Sequence, residues 1–107
     1  MSGFDEREKG YERKFEHDQE LAFRVKARRN HMIGLWAAEK LGLKGDAAEH
    51  YAKAIADPAS HHHGDAEIVK KIAKDFHAKA VAIDETRIQL ELERFSAAAR
   101  KALGAPK

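Results

Sequence analysis

Residues 4–43 read FDEREKGYERKFEHDQELAFRVKARRNHMIGLWAAEKLGL, and the fold follows from the contrast between their two halves. No proline interrupts the stretch, and its Glu, Lys, Arg, Ala and Leu lose little on entering a helix. It is therefore predicted to be one long helix. Before Leu21, only Phe4, Tyr11 and Phe15 are large and apolar. With Ala22 they recur at intervals of seven, four and seven, which is one narrow helical stripe. Asp5 with Lys9 and Lys14 with Asp18 are spaced to pair, each contributing ~0.2–0.5 kcal/mol, whereas Glu8, Glu12 and Glu16 repel in sequence. Gly10 costs about 1 kcal/mol relative to alanine. Residues 1–20 are accordingly expected to be mobile or marginally helical when free. From Leu21 the apolar content rises. Val25, Met32 and Trp36 form a line that Ile33, Leu35, Ala37 and Leu41 widen into a face suited to a core. Gly42 or Gly45 ends the helix, and Gly42 fits the left-handed position just past it.

The rest of the chain reads as three shorter helices. Asp46 is predicted to cap the second, with Glu49 completing a capping box. Ala48, Tyr51, Ala52 and Ile55 form its inner face, and Asp57-Pro58 ends it. PASHHHG is a linker. Asp65 is predicted to cap the third helix, whose core line is Ile68, Ile72, Phe76 and Ala80 with Val69 and Ala73 beside it. That helix is expected to close at Val81 or Ala82. Asp84 caps the fourth, with Ile83 and Ile88 placed as a hydrophobic staple. Ile88, Leu92, Phe95, Ala99 and Leu103 share one face, and Gly104 and Pro106 terminate it. The fold class is all-α, a four-helix bundle over 21–107 preceded by a mobile or marginally helical segment over 1–20. The predicted core is Val25, Met32, Trp36, Leu41, Tyr51, Ile55, Ile68, Ile72, Phe76, Ile88, Leu92 and Phe95.

Composition narrows the function. The 107 residues are 36% charged and 43% hydrophobic, with a formal charge of +2 and no cysteine. Disulfides and thiolate metal sites are excluded. There is no apolar leader and no membrane-length apolar run, so a cytoplasmic protein is expected. His61, His62 and His63 are adjacent in a linker and cannot all face one ion. No HExxH or i, i+4 histidine pair includes them, His50 or His77, so no metal and no cofactor are expected. The absence of GxGxxG, GxxxxGK[ST] and GxSxG argues against an enzyme. Arg24, Lys26, Arg28 and Arg29 wrap around the first helix instead of forming a stripe, which suits solvation better than nucleic-acid binding. A small nucleic-acid or nucleotide-binding module using Arg24–His31 is the alternative reading.

The Phe4/Tyr11/Phe15 stripe is the feature that calls for a function. It either packs along the bundle, frays as termini do, or serves as a ligand helix that lays a few aromatic anchors in a partner's groove.

The same stretch resembles the N-terminal signature of the zeta subunit family, the alphaproteobacterial inhibitor proteins of rotary F-type ATP synthase. The matching residues are Phe4-Asp5, Arg7-Glu8, Lys14-Phe15, His17-Asp18, Glu20-Leu21, Phe23, Ala27-Arg28-Arg29-Asn30, Gly34-Leu35-Trp36-Ala37-Ala38 and Leu41-Gly42. Residues 44–103 are similar in helix spacing and length. The resemblance implies a four-helix bundle with an inhibitory N-terminal segment, here residues 2–19. That segment would wedge into the catalytic α/β interface beside the rotor γ subunit and block rotation in the hydrolysis direction. Phe4, Tyr11 and Phe15 would be its anchors; Arg7, Lys14, Asp5, Glu8 and Asp18 would make polar contacts. The partner implied is the catalytic head of ATP synthase, with no nucleic acid, no membrane insertion and a monomeric free protein.

Overall fold

The structure, a computed structural model, describes residues 2–57 and 64–104, with the side chains of the first helix described from Gln19 onward. Four helices follow in order: α1 (Ser2–Lys40), α2 (Gly45–Ala56), α3 (Asp65–Ala78) and α4 (Glu85–Ala102). The linker histidines His61–His63, together with Pro58 and Pro106, lie outside the described residues.

The long first helix forms as its composition predicts, and it ends where glycine permits. Gly42 takes φ +80. Its N–H donates to the Glu39 carbonyl at 3.0 Å, and that of Leu43 donates to Ala38 at 2.9 Å, so the last carbonyls are satisfied. Asp57 leaves α2 with extended backbone (φ −67, ψ 118), as a residue before proline must. Asp84 caps α4, its carboxylate accepting from the Arg87 N–H at 3.0 Å, while Ile83 and Ile88 both pack into the core.

Three terminus expectations are corrected. α2 enters through Gly45 at φ +56, with Lys44 as the flanking residue and no side-chain cap. Asp46 lies inside the first turn, where its charge still suits the helix dipole. Glu49 forms no capping box and instead meets His31 Nε2 at 3.1 Å, tying α2 to α1. Asp65 does not cap α3 either. Gly64 takes the flanking position, and the Asp65 carboxylate reaches across to α1. α3 ends at Ala78, before Val81, because Ala80 turns left-handed at φ 56. Val81 N–H then donates to the Phe76 carbonyl at 2.8 Å.

The core is Ile33, Ala37, Ile55, Ile68, Val69, Ile72, Phe76, Ile88 and Leu92, with Trp36, Leu41, Tyr51 and Phe95 packed around it. Trp36 meets Phe76 edge-on, ring centroids 5.7 Å apart. Met32 is only half-buried, and Ile33 takes the central place. The covered row of α1 is Val25, Arg29, Ile33, Ala37, each one turn from the last, so Met32 falls on its rim.

α3 runs parallel to α1: Asp65 lies beside Arg29 and Phe76 beside Trp36. α4 begins near Lys40, where Glu85 and Arg87 share a cleft with it, and packs back along α1. Its 18 residues span ~27 Å, reaching back to about residue 22 of α1. Among the described side chains of α1, Leu21 is half-buried, Ala22 is exposed and Val25 is the first buried. The molecule measures 66 × 26 × 24 Å. That long dimension matches the 39 residues of α1, ~58 Å at 1.5 Å each.

Candidate functional site

The candidate site is the N-terminal part of α1, and Phe4, Asp5, Arg7, Glu8, Tyr11, Lys14, Phe15 and Asp18 all fall within it, on helical backbone. Their side chains, and the proposed Asp5–Lys9 and Lys14–Asp18 pairs, lie outside the described residues. The helical backbone of α1 continues for about twenty residues, roughly 30 Å, on the N-terminal side of Val25. Gln19 and Glu20 are exposed, and Phe23 is 64% exposed.

Everything on the covered side of the junction works to hold α1 in one position. Arg29 is buried, 7% exposed. Its Nη2 donates to Asp65 Oδ1 at 2.8 Å and its Nη1 to Asp65 Oδ2 at 3.1 Å. Nε and Nη2 also donate to Asn30 Oδ1 at 3.0 and 2.8 Å. A planar guanidinium with fixed donors suits such a two-sided grip better than a lysine would. Further along, Gly34 lets α2 approach. A Cβ built there would stand 2.7 Å from the Ala52 Cα. Gly34 and the buried Ala37, Ala38 and Ala52 make this crossing close.

The basic run is therefore not one surface. Arg24 pairs with Glu20 at 2.8 Å, Lys26 lies 3.9 Å from Asp65, and Arg29 is inside the fold. This corrects the expectation that Arg29 serves to solvate the helix, and it leaves the nucleic-acid reading without a basic stripe. The spacing Val25, Arg29, Ile33, one turn at a time, was the signal for its burial. The charge of Arg29 hid it, since arginine is rarely buried unless paired.

Of two other polar arrangements, one ties α2 to α3 and one lies within α4. The Tyr51 hydroxyl donates to Asp75 Oδ2 at 2.7 Å, and Lys71 Nζ donates to Asp75 Oδ1 at 3.0 Å. Burial, then the hydrogen bond and charge of Asp75, push the Tyr51 phenol well above its ordinary range. Glu91 is buried, with Arg87 at 3.1 Å and Arg94 at 2.8 Å on its carboxylate. A cleft of about 780 Å³ opens beside Trp36, Lys40, His77 and Arg87, with Asp84 and Glu85 among its walls. No group of metal-ligating side chains occurs among the described residues. No helix among them is long and apolar enough to cross a membrane.

These features define a small all-α bundle whose first helix, at 39 residues, is more than twice as long as any other. The family model of ATPase inhibitor subunit zeta matches residues 1–102, and the chain belongs to that family. Its family is thus one of regulatory subunits that inhibit an ATPase. Comparison with curated proteins and with solved structures gave no match.

Proposed function

We propose that this protein is a reversible inhibitor of the F-type ATP synthase, acting through the projecting part of α1. Residues 2–19 insert at the catalytic α/β interface beside the rotor γ subunit and block ATP hydrolysis. Residues 21–107 are the scaffold that presents them. Phe4, Tyr11 and Phe15 are the apolar anchors, and Asp5, Arg7, Glu8, Lys14 and Asp18 contact the polar rim. The protein contributes no catalytic group, acts as one copy from the cytoplasmic side, and is peripheral to the inner membrane when bound. The observation that supports this reading is the length of α1, 39 unbroken helical residues that run on well before Val25, the first buried side chain among the described residues.

The test is ATP hydrolysis by the cognate enzyme, measured with the intact chain and with a chain lacking residues 1–19. Inhibition by the first and none by the second is expected. A Phe4→Ala/Phe15→Ala double variant should behave like the truncation. Equal hydrolysis rates with intact and truncated chains would sink the proposal.

A further inference from the structure

α1 carries one continuous row of positions on a single face. Phe4, Tyr11, Phe15, Ala22, Arg29 and Ile33 are separated by seven, four, seven, seven and four residues. At 3.6 residues per turn these six positions fall within about 40° of one another. α1 runs unbroken from Ser2 to Lys40, so the register carries through the junction at Glu20–Leu21. The upper part of the row is roofed by the bundle: Arg29 is 7% exposed and Ile33 is fully buried. Ala22, on the same row, is exposed, and Leu21 beside it is half-buried. Phe23, about 100° away, is the bulky apolar residue left open near the junction.

The aromatic positions are thus in rotational phase with Arg29 and Ile33, the face that meets α3 through Asp65, while the α2 contacts of Gly34 and His31 lie about 120° and 180° around the helix. We infer that the bundle sets the angle at which the N-terminal helix is offered, so that the partner's groove continues the bundle along one face of α1. This rests on the proposed function and deepens it. The occupant is the groove of the ATP synthase head, and its chemistry follows from the helix. The groove holds apolar pockets about one turn and nearly two turns apart, for positions 15, 11 and 4. Residues 5–20 carry seven acids against four bases, so its rim is net basic. In the bound state α1 is then one continuous helix with a fixed rotation, not a peptide on a tether. The contacts that fix the rotation are Arg29 with Asp65, Gly34 against Ala52, and His31 with Glu49.

The experiment is a series of alanine insertions between Glu20 and Leu21 in the full chain, read as half-inhibitory concentration against the cognate enzyme. Two, four and seven alanines rotate the aromatic row by about 200°, 40° and −20°, while shifting it by about 3, 6 and 10.5 Å. The junction lies outside the core, so thermal unfolding of the bundle should match wild type in each variant. If the phase matters, the two-residue insertion weakens inhibition at least about tenfold more than the four- or seven-residue insertions, because only it turns the row to the opposite side. A profile that is flat with insertion length overturns the inference in favour of a tethered peptide. A loss that grows steadily with length overturns it in favour of simple displacement. In both cases truncation of residues 1–19 still abolishes inhibition and the proposed function stands. If truncation has no effect, both fall together.

Discussion

Arg29 holds both carboxylate oxygens of Asp65, at 2.8 and 3.1 Å, across 36 residues of sequence. The pair joins the first helix to the start of the third near the level where α1 leaves its cover. Charged hydrogen bonds of this kind contribute roughly 1.5–3 kcal/mol, and a partner left buried and unpaired adds to the loss. Asp65→Ala should therefore destabilise the bundle by about 2 kcal/mol, and Arg29→Ala by at least as much. The double variant should lose less than the sum, since each change removes the same contact. Urea unfolding of the four chains measures this, and strict additivity would show that the pair carries no coupling.

Gly34 is closed to any side chain. Alanine there would gain about 1 kcal/mol of helix propensity. Its Cβ, however, would press on the Ala52 Cα at 2.7 Å and the Ala52 carbonyl oxygen at 3.2 Å. These are backbone atoms, so the helices must part, and overpacking of this kind costs about 1–3 kcal/mol or more. Gly34→Ala should be net destabilising. Ala52→Gly should not rescue it, because removing the Ala52 Cβ leaves the backbone contact in place. A midpoint for the double variant equal to wild type would contradict the close crossing.

Ala80 holds a left-handed position, φ 56, that glycine holds at Gly42 and Gly104 at the ends of α1 and α4. An L-residue with a Cβ is penalised there by roughly 1–2 kcal/mol. Ala80 is exposed, so nothing else is lost on replacement. Ala80→Gly should raise stability by about 1 kcal/mol, part of the gain being offset by glycine's greater freedom in the unfolded chain. Thermal unfolding checks this directly, and a lower melting temperature would refute it.

Tyr51 makes stability depend on pH at the alkaline end. Its phenol titrates higher in the folded than in the unfolded chain, through burial first and then Asp75. The stabilisation it supplies is complete below the unfolded value, about 10, and is lost as pH rises above that value. Tyr51→Phe removes the hydroxyl bonded to Asp75, so it should cost about 1–2 kcal/mol at neutral pH. It should also flatten the fall in stability above about pH 10. Unfolding curves at pH 8 and pH 11 for the two chains test both statements. An unchanged alkaline slope would rule out Tyr51 as its source.

Gly10 offers a prediction on the functional side. Replacing it by alanine adds about 1 kcal/mol to helix formation in the projecting segment. If that segment orders further on binding, Gly10→Ala should strengthen inhibition by up to about fivefold. The half-inhibitory concentration of the variant measures it, and weaker inhibition would place close groove contact at residue 10.

Much of this molecule is determined by the chain read in order. The four helices, the stops at Gly42 and Asp57, the Asp84 cap and the apolar lines of α3 and α4 all follow from interactions within one or two turns. Local chemistry of that range is carried by neighbouring residues, and so is the phase of Phe4, Tyr11 and Phe15. Tertiary structure decided the rest. Whether Asp65 caps its own helix or grips Arg29 depends on what stands beside it after folding. So does the burial of an arginine, the absence of room at Gly34, and the choice of Ile33 over Met32. Each of these is a contact between segments distant in sequence, and spacing within one helix does not reveal which distant surface will meet it.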